Sequence, residues 1–148
     1  MLGRCGVDVC SPGELHLARQ VGFRQEEITY TGTSISNEDL DCLQRNPRVR
    51  INCDAISTIK RLGERCPGRT IGVRINPQLG AGYHEGLHYA GEKATKFGIY
   101  QDRYQEAVDI ARHYDLPIKV LHFHIGSGYL TDDLATLDEI LNEFRIVN

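Results

Sequence analysis

The sequence predicts an α/β fold, built as part of a (β/α)8 barrel, and three observations support this class. Strand-like and helix-like segments alternate along the chain, which is typical of parallel strands joined by helical crossovers. Two of the strand segments place apolar side chains on one face and polar side chains on the other,. Short polar residues stand at the carboxyl ends of the strands, where barrels of this type carry their functional sites.

Five segments rich in β-branched or apolar residues are the predicted strands. They are Val7 to Ser11, Ile28 to Thr31, Val49 to Cys53, Thr70 to Asn76 and Ile118 to Ser127. The polar residues at or just beyond their ends are Ser11, Thr31, Asp54, Asn76 and Ser127. A simpler interpretation of Ser11 and Asp54 is that they only cap the helices that follow.

Helices are predicted between the strands from their start signals and their apolar stripes. The first begins with a capping box, in which Ser11 is the N-cap and Glu14 lies three residues later, and it ends near Gly22,. The other four are expected to begin at Ser36, at Asp54 or Ser57, at Tyr104 and at Thr131.

An open doubly wound sheet and a barrel both fit this order of elements. In Gly72 to Asn76 and in Val120 to Ile125, apolar residues share one face, while Arg74, His122 and His124 lie on the other. A central strand of a doubly wound sheet is apolar on both faces, so the polar face favours the barrel. A complete barrel has eight β/α units and typically about 250 residues. This chain has 148 residues and five predicted strands, so we expect it to contain only part of a barrel, about five β/α units.

The composition indicates a soluble protein with a modest net charge. The formal net charge is -3 over 148 residues, and no apolar run approaches the roughly 20 residues of a membrane span. Lys and Arg are scattered along the chain, so we expect no nucleic-acid partner, no membrane partner and a cytoplasmic location. The 5 cysteines include no C-x-x-C pair, which argues against a disulfide framework and a cysteine zinc site.

The segment HIGSG, residues 124 to 128, resembles an anion-binding turn at the end of the last predicted strand. Two glycines allow backbone N–H groups to approach a phosphate, and the hydroxyl of Ser127 adds a donor. The imidazole of His124 could then stack on a planar ring that carries this phosphate. Alternatively, His124 is a core histidine that is hydrogen-bonded to a neighbouring carbonyl.

His84, Glu85 and His88 spell H-E-x-x-H, the motif of zinc hydrolases. That motif requires a helix, so that both imidazoles converge on the metal while the glutamate activates water. Four glycines lie between residues 80 and 91, and each costs about 0.8 to 1 kcal/mol inside a helix. We therefore interpret the motif as a coincidence within a loop and expect no metal.

Six stretches of the sequence occur in the order in which one enzyme family has them. They are GVDVCSPGEL (6 to 15), ITYTGTSISNEDL (28 to 40), VRINCDAISTIKRL (49 to 62), GVRINP (72 to 77), GAGYH (80 to 84) with TKFGI (95 to 99), and LHFHIGSG (121 to 128). In these stretches the sequence resembles the fold-type III pyridoxal-phosphate decarboxylases, which include diaminopimelate, ornithine and biosynthetic arginine decarboxylases. It is most similar to the diaminopimelate branch.

The resemblance implies an alanine racemase-like TIM barrel that binds pyridoxal 5'-phosphate at the carboxyl ends of its strands. It also implies a carbon–carbon lyase of amino-acid metabolism that decarboxylates a basic or diamino acid such as diaminopimelate, in lysine biosynthesis. By position, His124 would stack on the cofactor ring, while Ser127 and Gly126 would bind the cofactor phosphate.

The catalytic positions implied by the resemblance are Asp8, Glu14 and Arg74, and His84 would lie in a loop on the substrate side. Two simpler interpretations stay open at this point. Asp8 and Arg74 could pair with each other inside the barrel, and Glu14 could serve only the capping box.

The resemblance further implies that residues 1–148 are a partial barrel domain. The first strand with its Schiff-base lysine, the remaining barrel strands and a C-terminal β domain would be absent from it. We therefore expect the fragment to be inactive alone and the full-length enzyme to be a homodimer. Other hypotheses are a non-catalytic relative of the barrel that acts as a binding partner, and a zinc hydrolase that uses His84, Glu85 and His88.

Overall fold

A computed structural model describes residues 5–79, 95–128 and 134–145. Its strands are β1 (Val7–Val9), β2 (Ile28–Tyr30), β3 (Arg50–Cys53), β4 (Ile71–Asn76), β5 (Ile99–Tyr100) and β6 (Ile118–His122). Its α-helices are α1 (Pro12–Gln20), α2 (Asn37–Arg45), α3 (Ile56–Arg65), α4 (Tyr104–His113) and α5 (Leu134–Arg145). None of the helices in these ranges combines the length and the apolar composition of a membrane span.

All the described strand pairs are parallel, and β1 to β4 are neighbours in chain order. The first part of β4, from Ile71 to Arg74, pairs with β6, and its last two residues pair with the short strand β5. The five predicted strands are therefore confirmed, and β5 is an addition. With only two residues, β5 is too short to produce a detectable alternating pattern.

The register separates the sheet into two faces, because residues paired in a parallel register point to the same side. The apolar face includes Val9, Tyr30, Ile51 and Val73, and it shares one buried core with apolar residues of α1 to α4. We call the opposite side the polar face. It carries Asp8, Thr31, Asn52, Asp54, Arg74, Asn76 and His122.

The predicted alternation of β4 is confirmed, and its polar side chains are also buried. Arg74 is 7% exposed and Asn76 is 1% exposed. The Asn76 amide donates to Thr95 Oγ1 at 3.1 Å and to the Phe97 carbonyl at 2.9 Å. Asn76 therefore attaches the segment that leads into β5 to the end of β4.

The last predicted strand is too long at its carboxyl end. β6 ends at His122, because its pairing with β4 stops at Arg74 and β5 takes the next two positions of β4. Leu121 lies on the apolar face of this stretch but is 57% exposed. Ile125 is buried instead, in a small separate cluster with Ile140 of α5.

The helix starts agree with the sequence in α1, α2 and α4 and differ in α3, while the start expected at Thr131 lies outside the described residues. In α2, Ser36 and Asp39 form a reciprocal capping box. In α1, Ser11 is the N-cap, but the Glu14 carboxylate accepts from the backbone of Cys10 rather than from that of Ser11. The expected cap of α3 by Asp54 or Ser57 is wrong: Ala55 is the N-cap and provides no side-chain hydrogen bond.

Candidate functional site

The polar face connects three neighbouring strands through side-chain hydrogen bonds. Asn52 Nδ2 on β3 donates to Thr31 Oγ1 at 3.0 Å, and Thr31 Oγ1 donates to Asp8 Oδ1 at 2.8 Å. Asn52 and Thr31 are buried, whereas Asp8 is exposed. The chain of bonds therefore runs from the interior of the sheet to an accessible carboxylate.

Arg74 places a positive charge next to this carboxylate. Its guanidinium carbon lies 4.7 Å from the centre of the Phe97 ring, a cation–π contact,. Burial lowers the pKa of Arg74, and the nearby carboxylates of Asp54 and Asp8 oppose that shift. Within the described part of the chain, Arg74 forms no ion pair within 4.0 Å. The direct pairing of Asp8 with Arg74, considered above, is therefore not formed there.

Asp54 is a second buried charge on the polar face. In the sequence it was one of the polar residues at the strand ends, with a helix cap as the simpler interpretation. Its side chain is on the polar face, and the residue is 4% exposed. Burial raises its pKa, while a hydrogen bond from Thr33 and the charge of Arg74 act in the opposite direction. Among the described residues, Asp54 Oδ1 has no hydrogen-bond partner. Burying the charges of Arg74 and Asp54 costs free energy of folding. Buried ionisable groups with shifted pKa values are typical of functional sites.

Two histidines extend the site beyond the end of β6. Burial lowers the pKa of His122, with Arg74 as the next cause. Partial burial and then Arg74 lower the pKa of His124 in the same way. Both shifts favour the neutral form of the imidazole. His122 Nδ1 is buried without a hydrogen-bond partner in the described ranges, while His124 lies at the exposed end of the same stretch.

The predicted anion-binding turn follows these histidines. Ser127 was expected to end the strand, but it lies in a bend five residues after His122. Gly126 is buried, Ser127 is half-buried, and Gly128 has φ +77°. That conformation favours glycine, since a Cβ would be strained there. The turn therefore has the backbone freedom needed for N–H groups to approach an anion.

Glu14 is tied to the start of α1. Its Oε2 accepts from the backbone N–H of Cys10 at 2.6 Å, and its own N–H donates to Ser11 Oγ at 3.3 Å. Glu14 therefore fixes the backbone two residues after Asp8. His84 lies outside the described residues, as does the whole of residues 80–94. Both the substrate-loop role of His84 and the zinc hypothesis stay predictions.

Sequence reasoning did not mention Asn52, and it gave Thr31 and Asp54 only as polar residues at strand ends, without partners. One signal for them was present in β3, where Arg50, Asn52 and Asp54 alternate with Ile51 and Cys53,. The same alternation had been recognised in β4 and β6. Applied to β3, it would have placed Asn52 and Asp54 on the polar face.

Lowering the pH from about 7.5 to about 5.5 should reduce the free energy of unfolding, in part through His122. Because burial lowers its folded pKa below the usual 6.5, the unfolded chain binds a proton at a higher pH than the folded chain. The contribution of His122 to the free energy of unfolding is thus fully present above pH 6.5. It is lost as the pH falls through the lowered pKa of His122 in the folded chain. Urea unfolding at both pH values should show a smaller loss for His122→Gln than for the wild type.

The matched control for this experiment is His16→Gln, because His16 is exposed on α1. This variant should lose as much stability on acidification as the wild type. An equal loss in His122→Gln and the wild type would show that His122 does not contribute.

Comparison with known proteins identifies the family. Residues 1–147 match the model of one protein family. That family is described as the pyridoxal binding domain of pyridoxal-dependent decarboxylases. The diaminopimelate decarboxylase of Methanothermobacter thermautotrophicus is 38% identical over 126 residues, which are 84% of this chain and 29% of that protein. The diaminopimelate decarboxylase of Escherichia coli K12 is 28% identical over 138 residues, 90% of this chain and 32% of the relative.

A crystal structure of diaminopimelate decarboxylase has the same fold, with a TM-score of 0.79 and 28% identity over 90% of this chain and 32% of that one. A mutant of the Helicobacter pylori diaminopimelate decarboxylase complexed with L-lysine has a TM-score of 0.80 at 24% identity, covering 95% of this chain and 37% of that one. The prediction of a partial (β/α)8 barrel is confirmed. The chain spans about a third of the length of these relatives. It belongs to the pyridoxal-dependent decarboxylases, within their pyridoxal-binding domain.

Proposed function

We propose that the protein is a pyridoxal-phosphate-dependent decarboxylase of a basic or diamino acid, with diaminopimelate as the preferred class of substrate. The observation that carries this proposal is the polar face, which brings Asp8, Arg74 and two histidines together next to a glycine-rich turn in a member of this family. Charged groups and a potential phosphate site then lie at the same end of parallel strands, where barrel enzymes place their chemistry.

The residues near the turn fit pyridoxal phosphate. The neutral imidazole of His124 presents a flat ring without a competing charge, which suits stacking on a pyridine ring,. Ser127 supplies a hydroxyl donor and Gly126 supplies a backbone without a side chain, which suits the phosphate. When bound, the cofactor accepts the electron pair that loss of the carboxylate leaves on the substrate.

The charged residues of this chain have separate roles in the proposal. Asp8 is the accessible carboxylate, and Arg74 supplies the positive charge that holds anionic groups of the ligand in the pocket. Glu14 holds the backbone between Asp8 and α1 through its bond to Cys10. His84 would contact the substrate from its loop.

We further propose that sequence beyond residues 1–148 supplies the lysine-bearing strand, the remaining barrel strands and the C-terminal β domain. The support is the length of the relatives, of which this chain covers about a third. We propose that the full-length protein is a cytoplasmic homodimer. The isolated chain would then lack the groups needed for turnover.

The decisive experiment measures CO2 release by the full-length protein with pyridoxal phosphate and, separately, diaminopimelate, lysine, ornithine or arginine. We expect release from diaminopimelate at a kcat/KM at least tenfold above that for the other three. The isolated 148-residue chain should release no CO2 under the same conditions.

The other outcomes of this experiment separate the competing hypotheses. Cofactor binding without CO2 release from any of the four amino acids would favour the non-catalytic relative. A full-length protein that does not bind pyridoxal phosphate would overturn the proposed function.

A further inference from the structure

Two hydrogen bonds in sequence link Asn52 to Thr31 and Thr31 to Asp8. We propose that Thr31 and Asn52 are positioning residues, which hold the Asp8 carboxylate so that it accepts a hydrogen bond from a cationic N–H group of the bound ligand. This inference rests on the proposed function, since the ligand is the cofactor or the amino acid. Neither residue belongs to the cofactor-binding or catalytic set assigned above.

The direction of the chain follows from its chemical groups. An ionised carboxylate only accepts hydrogen bonds, and a hydroxyl has a single proton to donate. The Thr31 hydroxyl gives this proton to Asp8 Oδ1 at 2.8 Å, and its oxygen accepts from Asn52 Nδ2 at 3.0 Å. The amide of Asn52 therefore prevents the Thr31 hydroxyl from rotating away from Asp8.

Gly72 on β4 provides the space for this arrangement. A Cβ added at Gly72 would lie 2.2 Å from Asn52 Oδ1 and 3.1 Å from Val120 Cβ. Asn52 is paired in register with Gly72, so its amide lies directly over the glycine. Any side chain at position 72 would push the amide out of place. Four neighbouring strands thus contribute to the position of one carboxylate.

The geometry leaves one oxygen of Asp8 available. Oδ1 is held by Thr31, whereas no described residue donates to Oδ2. Asp8 is exposed, so a ligand can reach it, and a held carboxylate binds a cation with less loss of side-chain entropy than a mobile one. The cationic N–H group could be the pyridinium of the cofactor or the ammonium of the amino acid, and the experiment below distinguishes them.

The test compares three variants of the full-length protein. Thr31→Val removes the hydroxyl and keeps the shape, Thr31→Ser restores the hydroxyl, and Thr29→Val makes the same change two residues earlier on the same face of β2. The dissociation constant of pyridoxal phosphate is measured by absorbance titration without amino acid, and KM and kcat for diaminopimelate are measured at saturating cofactor. Urea unfolding of each variant reports any loss of stability separately.

We expect Thr31→Val to weaken ligand binding roughly tenfold, the usual effect of losing a hydrogen bond to a charged group. Thr31→Ser keeps the hydroxyl that donates to Asp8, and Thr29→Val leaves that hydrogen bond in place. Both variants should therefore bind the ligands within about twofold of the wild type, a smaller change than the loss of one bond to a charged group would cause. A rise in the cofactor dissociation constant would identify the pyridinium as the partner of Asp8. A rise in KM alone would identify the amino acid.

Asp8→Asn provides the test that Thr31 acts through Asp8. If it does, Thr31→Val should have little further effect on binding in the Asp8→Asn background, because the two changes remove one interaction. Binding effects that multiply independently would overturn the inference, as would a Thr31→Val variant that loses stability but binds both ligands like the wild type. A wild type that does not bind pyridoxal phosphate would instead overturn the proposed function.

Discussion

Replacing Gly98 with alanine should destabilise the protein by about 2 to 3 kcal/mol, the cost of a strained backbone position combined with a steric conflict. Gly98 has φ +76°, and a Cβ there would lie 2.8 Å from the carbonyl carbon of Ile75 and 3.0 Å from the Asn76 nitrogen. These atoms belong to the backbone of β4, which is held by its pairing with β3, β5 and β6. They cannot move away as a flexible side chain would.

Urea unfolding of Gly98→Ala and the wild type measures this effect. The matched control is Gly13→Ala, which makes the same change in α1, where the nearest atom to the new Cβ would be Ser11 Oγ at 3.9 Å. The control should be neutral or stabilising by up to about 1 kcal/mol, because alanine favours a helix over glycine. Equal unfolding midpoints for Gly98→Ala and the wild type would contradict the strain described here.

The Gly98 variant should also affect the site. Gly98 follows Phe97, the ring that supports the Arg74 guanidinium. A shift of the backbone at Gly98 therefore moves the aromatic partner of the buried charge. Since stability and site geometry depend on the same turn, we expect the variant to lose cofactor affinity as well as stability.

Replacing His124 with alanine should weaken the binding of pyridoxal phosphate to the full-length protein roughly tenfold, since stacked aromatic pairs contribute on this scale together with their buried area. The neutral imidazole is the flat group next to the proposed phosphate turn. Absorbance titration of the cofactor measures the dissociation constant. His124→Phe should recover most of the affinity, because it restores a flat ring without restoring the imidazole nitrogens.

The control for this experiment is His16→Ala, on the exposed surface of α1. It should bind the cofactor like the wild type. If His124→Ala also binds like the wild type, His124 does not stack on the cofactor, and the phosphate turn would have to be tested by itself through Ser127→Ala.

The period of the hydrophobic pattern was sufficient to locate the elements of this fold. Residues in β4 alternate because each successive side chain points to the opposite face, and this property is local to the strand. The same holds for the capping box of α2, in which Ser36 and Asp39 contact each other within one turn. Element type could therefore be predicted without knowledge of the neighbouring strands.

Strand ends and caps depended on neighbours, so local pattern was insufficient for them. β6 ends at His122 because β5 occupies the end of β4, although the alternation of side chains continues to Ile125 in the sequence. Asp54 resembles a helix cap in the sequence, yet the register of β3 places it on the polar face. Competition between strands for the same partner is a property of the packed sheet.

For the site, the resemblance to the family pointed to Asp8, Arg74 and His124 as residues of one pocket, and the polar residues at the carboxyl ends of the strands agreed with it. Which side chains touch was decided by the tertiary structure alone. Asp8 is held by Thr31, 23 positions away, rather than paired with Arg74. Such contacts arise from the lateral register of parallel strands, and no periodicity within one strand contains that information.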